Sequence, residues 1–354
     1  MKKRQYSLDV LRIIATVFIV FHHYQQFTNT YFEGKLNFYG GHFNFGLLVE
    51  FFFLLSGFLL YRHAEDEQTF PDFFVPKMIR LLPLVMLSSV AYEVLLILYN
   101  RVCNRNWQIG NKGCVWGIVT NSLGIQVGWG FENLKVNQPV WYVSVLLFCY
   151  LVFHFLRYIS RRLDIPNTYL FAVMIFAGAG TLTYGLNLPL LNPSLARGYY
   201  SFFFGLLLAK YLKNREIGWK EAVLSLGIVV FFTVGLVFYY HYFEDGISYL
   251  LTFLYYPAWM VLFLSKPVQK LFAFPILGTL GAITYSMYVW HTPMIMLMFI
   301  LLEIVPLPVD IHTVQAMWIF VGIMLLFGIL SHYLMEKPMA KLLKNMFLDK
   351  NNTK

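Results

Sequence analysis

Tyr6-Ser-Leu-Asp9-Val-Leu-Arg12-Ile-Ile-Ala-Thr-Val-Phe-Ile-Val-Phe-His22-His23-Tyr-Gln-Gln-Phe27 is the stretch whose reading decides the fold. A helix crosses the hydrocarbon core of a bilayer in about 20 residues, and this run has that length and apolar content. Lys2, Lys3 and Arg4 precede it as they would in a signal peptide. Arg12 interrupts the run, however, and no small-x-small cleavage site follows, so it reads as a retained first helix.

Similar runs recur along the whole chain. Spans are expected at 7–27, 43–61, 81–99, 139–159, 169–185, 199–212, 222–240, 247–264, 277–302 and 314–334. The composition agrees: 58% of the 354 residues are hydrophobic and 13% charged, against about 25% charged in soluble domains. A water-soluble fold of this size leaves too much surface wet to hide that apolar content. The expectation is an all-α polytopic membrane protein of about ten transmembrane helices.

Loop charge orients it. With the N-terminus inside, the inner segments carry 20 Lys and Arg and the outer segments six, a clear positive-inside bias. Both termini are then cytoplasmic, in a multi-pass protein of the plasma or inner membrane. Residues 1–340 form one membrane domain and residues 341–354 a short basic cytoplasmic tail. Anionic headgroups account for the net charge of +9 without any nucleic acid. The absence of an internal repeat disfavours the repeat-built transporters.

Two loops stand apart. The outer segment 100–138 carries Trp107, Trp116, Trp129 and six glycines. Its stretch from Val115 to Gly130 is too often interrupted by glycine to span, so it reads as a re-entrant or interfacial segment. Its aromatic rings either grip a sugar or form a belt at headgroup level. Cys103 and Cys114 in this loop either pair in a disulfide or stay as thiols, and no metal-ligand spacing is present. On the inner side, Phe73 to Pro83 reads as a short interfacial helix presenting Lys77 and Arg80 on one face.

Charges at bilayer depth are costly and mark functional candidates. The first span holds Asp9, Arg12, His22 and His23. Arg12 and His23 are eleven positions apart, about 20° past three full turns, so they share a face roughly 16 Å apart along the axis. His22 falls about 80° to one side, and Asp9 can pair with Arg12 at i+3. Glu50 in the second span calls for a cationic partner, and Arg12 or His23 would serve. Glu93, His154 and Glu303 read as structural. Tyr288 and His291, one turn apart on the ninth span, read equally well as structural or functional.

Together these residues resemble the acyltransferase-3 family of integral-membrane acyltransferases. The family's Leu-Asp-x-Leu-Arg followed by histidine matches Leu8 to Arg12 with His23 in register. Glu50 through Phe58, with Ser56-Gly57, matches its second-helix motif. Its Arg-x-x-Arg-x-x-Pro appears as Lys77-Met-Ile-Arg80-Leu-Leu-Pro83, with lysine in the first place. Pro139-Val-Trp141-Tyr142-Val-Ser144, Gly281 through His291, and Glu336-Lys-Pro338 continue the match in order. Leu146 stands where many members carry an acidic residue, and Lys77 can hold a phosphate only as a point charge.

The resemblance implies O-acylation, most often acetylation: an acyl group passes from cytoplasmic acyl-CoA to a hydroxyl of a polysaccharide or other cell-envelope acceptor. Acetyl-CoA is then a co-substrate, and no cofactor or metal is bound. It implies His23 as general base with Glu50 orienting it. Arg12, Lys77 and Arg80 would meet the donor, while Asp9, Ser56, Trp141, Tyr142, Tyr288 and His291 would serve the acceptor or support the site. The competing class is an exporter of glycan or lipid that uses the same buried charges as a relay. A structural scaffold leaves charge in register at bilayer depth unexplained.

Overall fold

The computed structural model describes residues 4–32, 36–41, 44–63, 68–103, 107, 114–128, 136–242, 244–305 and 307–348. The described chain is helical throughout, with a single isolated β-bridge between Leu188 and Leu191. In order the helices are α1 (Tyr6–Thr28), α2 (Leu48–His63, entered through a 3-10 turn), α3 (Phe70–Val102), α4 (Val115–Ser122) and α5 (Trp141–Leu163). There follow α6 (Asn167–Thr183), α7 (Pro193–Leu212), α8 (Trp219–Phe238), α9 (Ile247–Leu264) and the short α10 (Lys266–Leu271). The chain ends in α11 (Pro275–Ile304) and α12 (Val314–Phe347).

Seven of these, α1, α3, α5, α8, α9, α11 and α12, are long and apolar enough to cross a membrane. The segment 45–61 and α6 are apolar but shorter. Helix α7 has 20 residues, interrupted by Arg197 and Lys210. These three fall where the second, fifth and sixth spans were expected.

Two boundaries differ from the sequence reading. No separate interfacial helix precedes the third span: α3 runs unbroken from Phe70 through Pro76 and Pro83. Its start is fixed by Thr69, whose hydroxyl accepts from Asp72 N–H and donates to the Asp72 carboxylate at 2.6 Å, with Pro71 in the first turn, where no N–H is needed. Helix α7 begins at Pro193, six residues before the expected Tyr199. Asn192 caps it by accepting from Leu195 N–H at 3.0 Å. The second shift draws Arg197 out of a loop and into a helix. At the other end of the chain, helix continues through the expected tail as far as Phe347.

The chain divides into two compact units. The first holds residues 1–64, 168–177 and 197–284, the second residues 65–167, 178–196 and 285–354. In the first unit Leu8, Leu54, Phe58, Met260 and Phe263 belong to one apolar cluster. Helices α2 and α7 cross there backbone to backbone. A Cβ on Gly57 would lie 2.0 Å from the Phe202 carbonyl oxygen, and one on Gly205 would lie 2.0 Å from that of Leu54. Ser56-Gly57 is thus placed at a helix crossing that no side chain larger than hydrogen fits.

In the second unit the packing is joined by neutral polar groups. Asn137 donates to Ser88 Oγ at 3.0 Å and to the Val289 carbonyl at 3.1 Å, tying the start of α5 to α3 and α11. Asn121 donates to Ser89 Oγ and to the Val136 carbonyl, both at 3.0 Å. Ser144 exchanges hydrogen bonds with the backbone of Val127. These bonds anchor the part of the 100–138 segment that is described, with Trp107 buried and Trp116 exposed on the short α4. Trp129 lies outside the described residues. No disulfide joins Cys103 and Cys114.

Candidate functional site

The first unit gathers Asp9, Arg12, His22, His23 and Glu50, with the first four on the unbroken α1. Asp9 is buried and accepts from both sides. Arg4 reaches it through Nε at 2.7 Å and Nη2 at 3.2 Å, and Arg12 through Nη1 at 3.2 Å. The second Arg4 nitrogen also donates to the Gly278 carbonyl at 2.6 Å. A Cβ on Gly281 would fall 2.5 Å from Asp9 Oδ1, so only glycine lets α11 approach this carboxylate. Two guanidiniums around one carboxylate leave positive charge at the start of α1.

Near the other end of α1 the two histidines have different surroundings. His22 is buried, 8% exposed, and its Nδ1 lies 2.9 Å from the Phe38 carbonyl. Gln25 pins the same loop, donating to the Leu36 carbonyl and accepting from Phe38 N–H. A Cβ on Gly46 would fall 2.9 Å from His22 Cε1, so the turn before α2 lies against this ring. His22 is a clamp on the 36–46 segment.

His23 is half-buried, and its Nδ1 lies 3.0 Å from the Ile19 carbonyl one turn back. A carbonyl can only accept, so Nδ1 carries the proton and the basic lone pair of the neutral ring is on Nε2. The two rings meet edge to face, with centroids 4.8 Å apart.

Glu50 corrects the sequence reading. Its ion-pair partner is Arg197 rather than Arg12 or His23. Arg197 of α7 grips it in a fork, Nε to Oε1 at 2.6 Å and Nη2 to Oε2 at 2.8 Å, and also donates to the Gly46 carbonyl at 2.9 Å. Tyr200 and Ser248 hydroxyls donate to Glu50 Oε1 at 3.2 and 3.1 Å. Tyr256 holds the Leu47 carbonyl at 2.8 Å. A bidentate pair with its remaining lone pairs satisfied is the geometry in which a buried charge is tolerable.

Sequence reasoning missed Arg197, Tyr200, Ser248 and Arg4. The signal for Arg197 was Asn192-Pro193, a cap followed by proline in the first helical position, which would have placed the arginine on the helix.

The second unit holds the other candidates. Lys77 donates to the Phe73 carbonyl at 3.0 Å and lies over the Phe73 ring at 3.9 Å, while Arg80, one turn on, is exposed. The Tyr142 and Tyr288 rings meet edge to face at 5.7 Å, and Tyr288 donates to the Pro139 carbonyl. His291 is fully buried, with Nδ1 on the Tyr288 carbonyl. Trp141 opens α5 next to Tyr142 and is half-buried. These contacts brace the start of α5 on α11. Further along, Glu336 accepts from Ser286 Oγ at 2.7 Å and bonds His332 Nδ1 at 2.8 Å, within the π-helical turn His332–Glu336 of α12. Glu93 accepts from Cys114 N–H at 3.0 Å. Among the described residues no group of three or more His, Cys, Asp or Glu could hold a metal ion.

The arrangement in the first unit offers a half-buried histidine with a fixed tautomer and a cationic cluster three turns below it on one helix. A family model described as an acyltransferase domain matches residues 5–336, nearly the whole chain. No curated protein and no solved structure matches. The span of the match takes in every motif discussed above except the end of Glu336-Lys-Pro338, and the chain belongs to the acyltransferase-3 family of membrane acyltransferases.

Proposed function

We propose that this acyltransferase moves an acetyl group from cytoplasmic acetyl-CoA to a hydroxyl of a cell-envelope glycan, with both chain termini inside the cell. The observation that carries the proposal is the His23 ring, held through Nδ1 so that Nε2 is its base. In the proposed step, Nε2 takes the proton of the acceptor hydroxyl as its oxygen attacks the thioester carbonyl. The tetrahedral intermediate collapses with loss of the CoA thiolate, which takes the proton back from the imidazolium. Histidine suits both transfers because its pKa lies near neutral pH.

Arg12 lies about 16 Å from His23 along α1, a distance that an extended pantetheine arm can cover. Lys77 and Arg80 are the proposed partners of the donor's phosphates, and Tyr142, Tyr288 and Trp141 support the acceptor side. Glu50 is withdrawn from the reacting centre, since its carboxylate is committed to Arg197. An exporter would have no need of CoA.

The test is thiol release from acetyl-CoA by membranes containing the chain and envelope glycan. Release should depend on both substrates. Charge-assisted contacts contribute about 1.5–3 kcal/mol each, so Lys77→Ala with Arg80→Ala should raise the dissociation constant for CoA at least tenfold. Thiol release that never exceeds the rate in control membranes would refute the enzyme reading.

A further inference from the structure

A cavity of about 270 Å³ opens in the first unit between the end of α7, the start of α10 and Gln5 ahead of α1. Its floor is apolar, made by Phe58, Ile217 and Leu264, all buried. Its rim carries Lys213, Arg215 and Lys266 against one carboxylate, Glu216. Charge counting along the chain assigns this end of the unit to the cytoplasm.

The cations are presented in a way that positive-inside charge alone does not require. Arg215 lies over the Tyr211 ring, its Cζ 4.0 Å from the centroid, which fixes the guanidinium beside the opening. The Lys266 backbone N–H donates to the Ile217 carbonyl at 2.9 Å, so the turn after α7 and the start of α10 form one wall. Lys266 Nζ pairs with Glu216 at 2.6 Å, but both side chains are largely exposed, 60% and 82%. An ion pair so exposed contributes little, so the ammonium can turn to a stronger anion. Among the described residues, no acidic side chain pairs with Lys213 or Arg215.

Positive charge over an apolar floor selects a ligand with an anionic head and an apolar or flat body. A volume at the lower edge of the range for ligand pockets is too small for a whole acyl-CoA but suits a headgroup. We propose that this pocket binds a phosphate ester, held by Lys213, Arg215 and Lys266 while its organic portion rests on Phe58, Ile217 and Leu264. The ester is either the headgroup of an anionic phospholipid or a soluble phosphate monoester with a small apolar body. Neither Lys77 nor Arg80 lines this pocket, and the proposal does not depend on the acyltransfer mechanism.

The test uses the purified full chain and two probes. Phenyl phosphate is titrated in detergent, and retention of dioleoyl phosphatidylglycerol is followed by native mass spectrometry after extraction from nanodiscs. At least one probe should bind, and Lys213→Gln/Arg215→Gln/Lys266→Gln should weaken it at least tenfold, whereas Lys270→Gln, on the same short helix as Lys266 but outside the lining, should not. Binding of the lipid alone identifies a headgroup site, and binding of phenyl phosphate alone a site for a soluble ester. If the triple variant folds poorly, Lys213→Glu, a change at an exposed position, serves instead and should weaken binding severalfold. Failure of both probes to bind the unaltered protein, or equal binding by the folded variants, would overturn the proposal.

Discussion

The two units of this protein join their helices with different polar groups. The first buries charge: Glu50 with Arg197, and Asp9 with Arg4 and Arg12. The second joins α3, α5 and α11 through neutral amides and hydroxyls, with Asn137, Asn121, Ser88 and Ser89 at the centre. A buried ion pair is a poor device for stability, since an apolar replacement often does as well. Neutral amides suffice to fix helices to one another. The second unit also holds Glu93 and the His332–Glu336 pair, but the guanidinium-paired carboxylates belong to the first, with Asp9 on the helix that carries His23, where charge has work to do.

Breaking the Glu50–Arg197 pair should give the largest effect. Arg197→Ala leaves a carboxylate that is 1% exposed without its fork, and removal of one partner of a buried pair costs about 3–5 kcal/mol. Thermal unfolding should show a large loss. Arg197→Met with Glu50→Gln removes both charges and should recover most of it. If the double variant is no more stable than the single one, the pair is not the reason for the loss.

The neutral network should respond less. Asn137→Ala removes donors to Ser88 and Val289, and a buried acceptor left unsatisfied costs about 1–3 kcal/mol. Unfolding should show that smaller loss, without the rescue that a second substitution brings to an ion pair. A loss as large as that of Arg197→Ala would erase the contrast between the units.

The sequence was legible where the physics is local. Apolar runs of bilayer length located the helices, and the i,i+3 spacing of Asp9 and Arg12 announced their pair. It was not legible where partners come together from afar. Arg197 is 147 positions from Glu50, and as a loop charge it only entered the count of outer cations. Chain order also concealed why Gly57 and Gly281 stand in their motifs. One lies under a crossing helix and the other against the Asp9 carboxylate, and both reasons are contacts with distant residues. The continuous α3 was missed because apolar content set the third span at 81–99 and left the more polar stretch before it as a separate interfacial helix, whereas one helix runs through both.

The comparison of His22 and His23 tests the central claim most directly. Both Nδ1 atoms are bound to carbonyls, that of His22 to Phe38 in the loop from a buried position and that of His23 to Ile19 within its own helix. His22→Ala should therefore affect stability more than chemistry. His23→Gln keeps a hydrogen-bond donor and removes the base. General-base catalysis contributes about 10²–10⁴-fold, so this variant should fold, bind CoA with unaltered affinity, and release thiol from acetyl-CoA slower by that factor. A folded His23→Gln protein that transfers acetyl at nearly the unaltered rate would contradict the account.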